Sequence, residues 1–140
     1  MSKLKFQFTT LLAIVLLFTA CNKAETSFTI QSPDENISVE FALSNSGEPM
    51  YLVKHKNKMV IDTSLMSFDF KDLPALKDSF KVLRSATGTF DENWDMPWGK
   101  QLTVRNNYNE LIVNLEEQSG SKRQLNIHFK IYNDGLGFRY

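Results

Sequence analysis

The sequence predicts an all-β protein, an antiparallel β-sandwich with no substantial helix after an N-terminal leader. Three observations carry that expectation. From Phe28 onward the dominant hydrophobic period is two, the mark of half-buried antiparallel strands. Turn formers punctuate the alternation at Asn45-Ser46-Gly47, Asn57-Lys58, Ser119-Gly120-Ser121-Lys122 and Asn133-Asp134-Gly135. No helical period outlasts one turn and no internal repeat is present, which favours a sandwich over a closed barrel.

The elements follow in order. Ile37, Val39, Phe41 and Leu43 alternate with Ser38, Glu40, Ala42 and Ser44, and Met50 to Lys56 reads as the returning strand. Met59-Val60-Ile61 follows a second turn, and Met66, Phe68 and Phe70 alternate with Ser67, Asp69 and Lys71 as a further strand. Leu73-Pro74 blocks helix entry, so 72–78 is expected to be loop. Phe80 to Leu83 resumes extended structure, and a loop rich in Trp leads to a short strand at Leu102 and Val104. Leu111, Val113 and Leu115 alternate next, followed by Leu125, Ile127, Phe129 and Ile131. Asp134-Gly135 is a strong hairpin signal because both residues tolerate positive φ. The strand pattern it opens runs to Tyr140, so 28–140 is expected to be a sandwich incomplete at its C-terminal end.

The first 20 residues read as a leader. Lys3 and Lys5 precede an uncharged stretch from Phe6 to Ala20, shorter than the roughly 20 apolar residues of a membrane span and laid out as a secretory signal peptide. Phe18-Thr19-Ala20-Cys21 places small residues just before the only cysteine. That cysteine reads as a lipid attachment site, leaving 21–27 as linker and the mature chain tethered to a bilayer without spanning it. The expected location is the periplasmic face of a membrane. A single cysteine also excludes a disulfide-stapled fold. Without Lys3 and Lys5 the chain carries 14 basic against 16 acidic residues, which argues against a nucleic-acid partner.

Chemistry-bearing residues are few. His55 and His128 stand alone in strand patterns, and there is no metal-ligand spacing, phosphate loop or nucleophile elbow. Asp91, Glu92, Asp95 and Glu110 are the plausible catalytic carboxylates, with surface charge or loop anchoring as the alternative; Glu116-Glu117 reads as a solvated hairpin end. Asp91 and Glu92 are adjacent, so extended backbone sends them to opposite sides. Both tryptophans, Trp94 and Trp98, lie in this stretch. They cap the sandwich core, pack against a neighbouring domain, or stack on a sugar ring.

From Phe90-Asp91-Glu92-Asn93-Trp94-Asp95-Met96-Pro97-Trp98-Gly99 and Arg105-Asn106-Asn107-Tyr108-Asn109-Glu110-Leu111, the chain resembles the N-terminal domain of glycoside hydrolase family 97. Ser32-Pro33-Asp34, Val39-Glu40-Phe41, the strand Leu125 to Tyr132 and the segment Asp134 to Tyr140 extend the resemblance over essentially the whole mature chain. Lys100 departs from it, standing where an acid is expected. The resemblance implies part of a super-sandwich of the galactose-mutarotase-like type, belonging to an α-glucosidase or α-galactosidase that uses calcium and acts on oligosaccharides. It also implies a missing (β/α)8 barrel that carries the chemistry, with no catalytic or calcium-binding residue in this chain. The candidates for sugar binding or a domain interface are Trp94, Trp98, Asp91, Glu92 and Arg105. A stand-alone glycan-binding lipoprotein is the alternative function.

Overall fold

The computed structural model describes residues 26–140. The leader, Cys21 and most of the linker lie outside the described residues. Within them the secondary structure is all β, in eight strands: β1 Ser27–Gln31, β2 Ile37–Leu43, β3 Pro49–His55, β4 Lys58–Leu65, β5 Phe80–Asp95, β6 Thr103–Glu117, β7 Gln124–Tyr132 and β8 Gly135–Arg139. They form two antiparallel four-stranded sheets, each ordered as the chain runs, β1-β2-β3-β4 and β5-β6-β7-β8. Each sheet is therefore a meander, the topology that short turns between sequential strands allow.

The sheets pack face to face with β1 against β6 and β2 against β7. Tyr51 of β3 meets Phe138 of β8 at 5.4 Å between ring centroids. Val39, Phe41, Val113, Leu115, Ile127, Phe129 and Ile131 are fully enclosed between the sheets. Phe129 sits at the middle of an aromatic cluster, 6.0 Å from Phe41, 6.2 Å from Tyr51 and 5.7 Å from Phe138. These inward residues are the apolar members of the alternating runs, because a two-residue period sends them all to one face.

The stacking is offset by one strand, so β4 and β5 overhang at opposite edges. Their burial patterns, almost entirely exposed, record this. The overhang accounts for the two places where the strands differ from the alternation. No loop rich in Trp follows Phe80–Leu83: β5 runs on for 16 residues and pairs with β6 as far as Asp95 opposite Thr103. Because neither face of that distal ladder is covered by the first sheet, it needs no apolar alternation and is composed like a loop. The segment from Met66 to Phe70 is not a strand either. Met66 is buried, but Phe68 makes a lone antiparallel bridge to Leu76 as the chain folds back around Pro74.

The ends of the sandwich are tied by polar contacts. Arg123 donates to both carboxylate oxygens of Glu117 and to the carbonyls of Pro74 (2.8 Å) and Ala75 (2.9 Å), pinning the 72–78 loop. Glu117 is thus buried rather than at a solvated hairpin end, and its hydrogen bonds from Arg123 hold its carboxyl below the usual glutamate range. Glu116 is half-buried and paired with Lys81 at 3.1 Å.

The tie between the sheets at the first turn is backbone to backbone. Ser79 N–H donates to Ser46 O (2.8 Å) and Phe80 N–H to Gly47 O (3.0 Å). Gly47 has φ +77°, and a Cβ there would stand 2.6 Å from Phe80 N. Gly120, with φ +62°, faces open space. Gly47→Ala is therefore expected to destabilise the fold by more than about 2 kcal/mol, against about 1 kcal/mol for Gly120→Ala. Urea denaturation of the two variants checks this; equal losses would mean that the Phe80 backbone yields freely.

Candidate functional site

Where β5 and β6 leave the sandwich they become a two-stranded arm. β7 pairs with β6 only from Asn109 to Glu116, while the β5–β6 ladder continues for several residues beyond. Its tip is the loop between Asp95 and Thr103, closed by Met96 N–H donating to Leu102 O at 2.7 Å. Every residue from Thr89 to Thr103 is exposed.

A β-bulge decides which side chains share a face. The register shifts between Val82 and Arg84, so Leu83 is the extra residue, and the parity of everything distal to it is reversed. Odd residues of distal β5 then lie over the inner face and even residues over the outer face. The predicted set is split accordingly. Asp91 and Arg105 lie on the inner side, joined by two hydrogen bonds of 2.7 and 2.6 Å. Glu92 and Trp94 lie on the outer side, with Glu92 accepting from Asn106 Nδ2 at 2.8 Å. Trp98 sits on the tip and is 81% exposed.

The carboxylates expected to carry chemistry are mostly held by neighbours. The Arg105 guanidinium lowers the Asp91 carboxyl below its ordinary range and is itself raised in return. Asp95 accepts from Thr103 Oγ1 at 2.8 Å. An acid that must donate a proton near neutrality needs the opposite shift, so Asp91 anchors the arm. Trp94, 46% exposed, and Trp98 do not cap the core; the core at this end is closed by other residues.

The residues that sequence reasoning did not bring together lie at the root of the arm. Tyr108 is 5% exposed, its ring stacked against Phe90 at 4.8 Å and 18° and tilted against Tyr132 at 5.2 Å. Lys130 Nζ donates to Tyr108 Oη at 2.8 Å and stands 4.1 Å from the ring centroid. That hydrogen bond raises the Lys130 ammonium above its usual value. Lys130 is opposite Glu110, which is opposite Gly88. Only cross-strand register brings these residues together, and no local motif announces it. On the inner side, Asn109 Nδ2 donates to Gln31 O at 2.8 Å. It lies beside a groove of about 470 Å³ lined by Gln31, Ser32, Thr87 and Thr89 where β5 overhangs β1.

The described residues do not make a calcium cage. Among them no three His, Cys, Asp or Glu side chains converge, and Asp91 and Glu117 are each occupied by an arginine. His55 is exposed at the end of β3, and His128 is half-buried on the outer face opposite Ile112.

Comparison with known proteins agrees with this architecture. Residues 30–140 match the family model described as Glycosyl-hydrolase 97 N-terminal. A retaining alpha-galactosidase from Bacteroides thetaiotaomicron is 24% identical over 131 residues, covering 94% of this chain and 19% of its own length. A glycoside hydrolase family 97 enzyme from Pseudoalteromonas sp. strain K8, solved in complex with panose and with acarbose, matches at 32% identity with a TM-score of 0.75. The match covers 79% of this chain and 17% of that one. A beta-arabinopyranosidase at 19% identity and TM-score 0.69 shares the fold. The chain thus spans less than a fifth of the length of these relatives.

Exposure separates the two kinds of aromatic on the arm. Trp98→Ala is expected to change stability by less than about 0.5 kcal/mol, whereas Tyr108→Ala should cost about 3 kcal/mol or more. Chemical denaturation monitored by circular dichroism tests both; a large loss for Trp98→Ala would place that ring in the core after all.

Proposed function

The chain belongs to the glycosyl hydrolase 97 N-terminal family, and from that premise we propose that it serves as the non-catalytic sandwich of an α-glucosidase or α-galactosidase acting on oligosaccharides. The observation that carries this reading is the β5–β6 arm. It leaves the sandwich as a bare two-stranded ribbon and ends in exposed Trp94, Met96, Trp98 and Leu102. A ribbon of two strands is marginal by itself, and apolar side chains gathered at an exposed tip mark an interaction surface. In this reading the arm seats against the (β/α)8 barrel that supplies the chemistry, with Asp91–Arg105 keeping it straight.

Calcium, in this proposal, is held outside the described residues, among which no three His, Cys, Asp or Glu side chains converge. The carboxylates that protonate the leaving group and activate water or attack the sugar likewise belong to the barrel. The 140-residue chain alone is expected to show no turnover of aryl α-glucosides or α-galactosides with calcium present. Turnover that survives removal of contaminating enzymes would overturn the reading.

Export and anchoring complete the proposal. The charged start, the apolar run and Thr19-Ala20-Cys21 support lipidation at Cys21 and display on the periplasmic face of a membrane. Cells grown with labelled fatty acid should incorporate label into the protein, and Cys21→Ala should abolish it. Label that persists in the variant would rule out Cys21 as the attachment site.

A further inference from the structure

We propose that the outer face at the root of the arm, centred on Phe90, is a stacking site for a neutral pyranose ring of an oligosaccharide, an inference that rests on the oligosaccharide reading above. Three features build the site. The first is a rigid ring. Lys130 fixes Tyr108 through its hydroxyl and lies against its ring, and Tyr132 packs on it from β7. Phe90 lies nearly parallel on Tyr108, yet remains 40% exposed. One face of Phe90 is thus held by Tyr108, and the rest of the ring is presented to solvent.

The second feature is a glycine beneath the edge of that ring. Gly88 precedes Phe90 on the same face, and a Cβ there would stand 3.3 Å from both Phe90 Cε2 and Glu110 Cγ. With no side chain at this position, the Phe90 ring edge and the Glu110 side chain lie close on the β5 backbone, so that the Glu110 carboxylate borders the ring. The third feature is polar groups on both flanks. Toward the sandwich stand Glu110 and Lys130; toward the tip stands the hydrogen-bonded pair Glu92–Asn106.

This chemistry selects the ligand. A pyranose has an apolar face of axial C–H bonds and a rim of hydroxyls, and matches a flat ring bordered by carboxylate and amide. A protein partner would favour a wider apolar patch, depleted of charge at its centre. Trp94 lies on the same face four residues on, about 13 Å along the ribbon, too far to clamp the same sugar ring.

The test is titration of the isotope-labelled chain with maltotriose and, separately, with melibiose, followed by amide chemical shifts. Saturable shifts at Gly88, Phe90 and Glu110 with millimolar affinity are expected. Phe90→Leu keeps apolar bulk without a flat face and should weaken binding about tenfold, as should Gly88→Ala through crowding. Trp98→Ala should leave the affinity unchanged. Absence of saturable shifts with both sugars would overturn the site. So would shifts confined to the tip and lost in Trp98→Ala, or self-association of the free chain that covers Phe90. None of these outcomes bears on whether the chain alone turns over substrate, which the aryl glycoside assay addresses independently.

Discussion

The structure depends on the one-strand offset between its two sheets. Phe129 on β7 holds the centre, meeting Phe41 and Tyr51 across the interface and Phe138 beside it. That cluster aligns β2 with β7 and β3 with β8, and the alignment leaves β5 beyond Val82 with nothing opposite it. Burial of apolar surface, at about 25 cal/mol per Å², is therefore concentrated in β1–β3, β6 and β7, with Phe80 and Val82 at the start of β5. β5 is held mainly by its ladder to β6. A strand under that constraint is free to carry polar side chains on one face and aromatic ones on the other, and distal β5 does so.

From the offset follows the arm, and from the bulge at Leu83 follows its handedness of presentation. Without that extra residue, Phe90 and Trp94 would face inward over the groove beside β1, and Asp91 would face outward. With it, the Asp91–Arg105 pair continues the inner face of the sandwich, while the aromatic side of the arm continues the outer face. Two surfaces of different chemistry thus arise from one ribbon. The pair is exposed, so its worth lies in straightening the arm more than in global stability.

Membership of the glycosyl hydrolase 97 N-terminal family gives these surfaces a setting. The chain corresponds to under a fifth of the relatives' length, and hydrogen bonds hold the carboxyls of Asp91, Glu116 and Glu117 below their ordinary range, away from what an acid catalyst needs. Asp91, Asp95, Glu92, Glu116 and Glu117 are each bonded to a neighbouring side chain. In the proposed reading, the domain contributes shape and contact to such an enzyme, through side chains that strand register alone brings together.

The sequence by itself determined the all-β class, the inward residues of β2, β6 and β7, and the hairpin before β8, because a covered sheet face enforces a period of two. It also identified the Phe90–Leu111 stretch as the informative one and carried the family resemblance. Only the tertiary structure decided that this stretch is a paired arm, that Trp94 and Trp98 stand outside the core, and that Glu117 is buried. It alone assembled Phe90, Tyr108, Lys130, Glu110 and Gly88 on one face. The reason is physical. Periodicity reports burial, and the arm is not buried; the face it presents is set by a one-residue bulge and by partners 14 to 22 residues away, neither of which leaves a trace in local pattern.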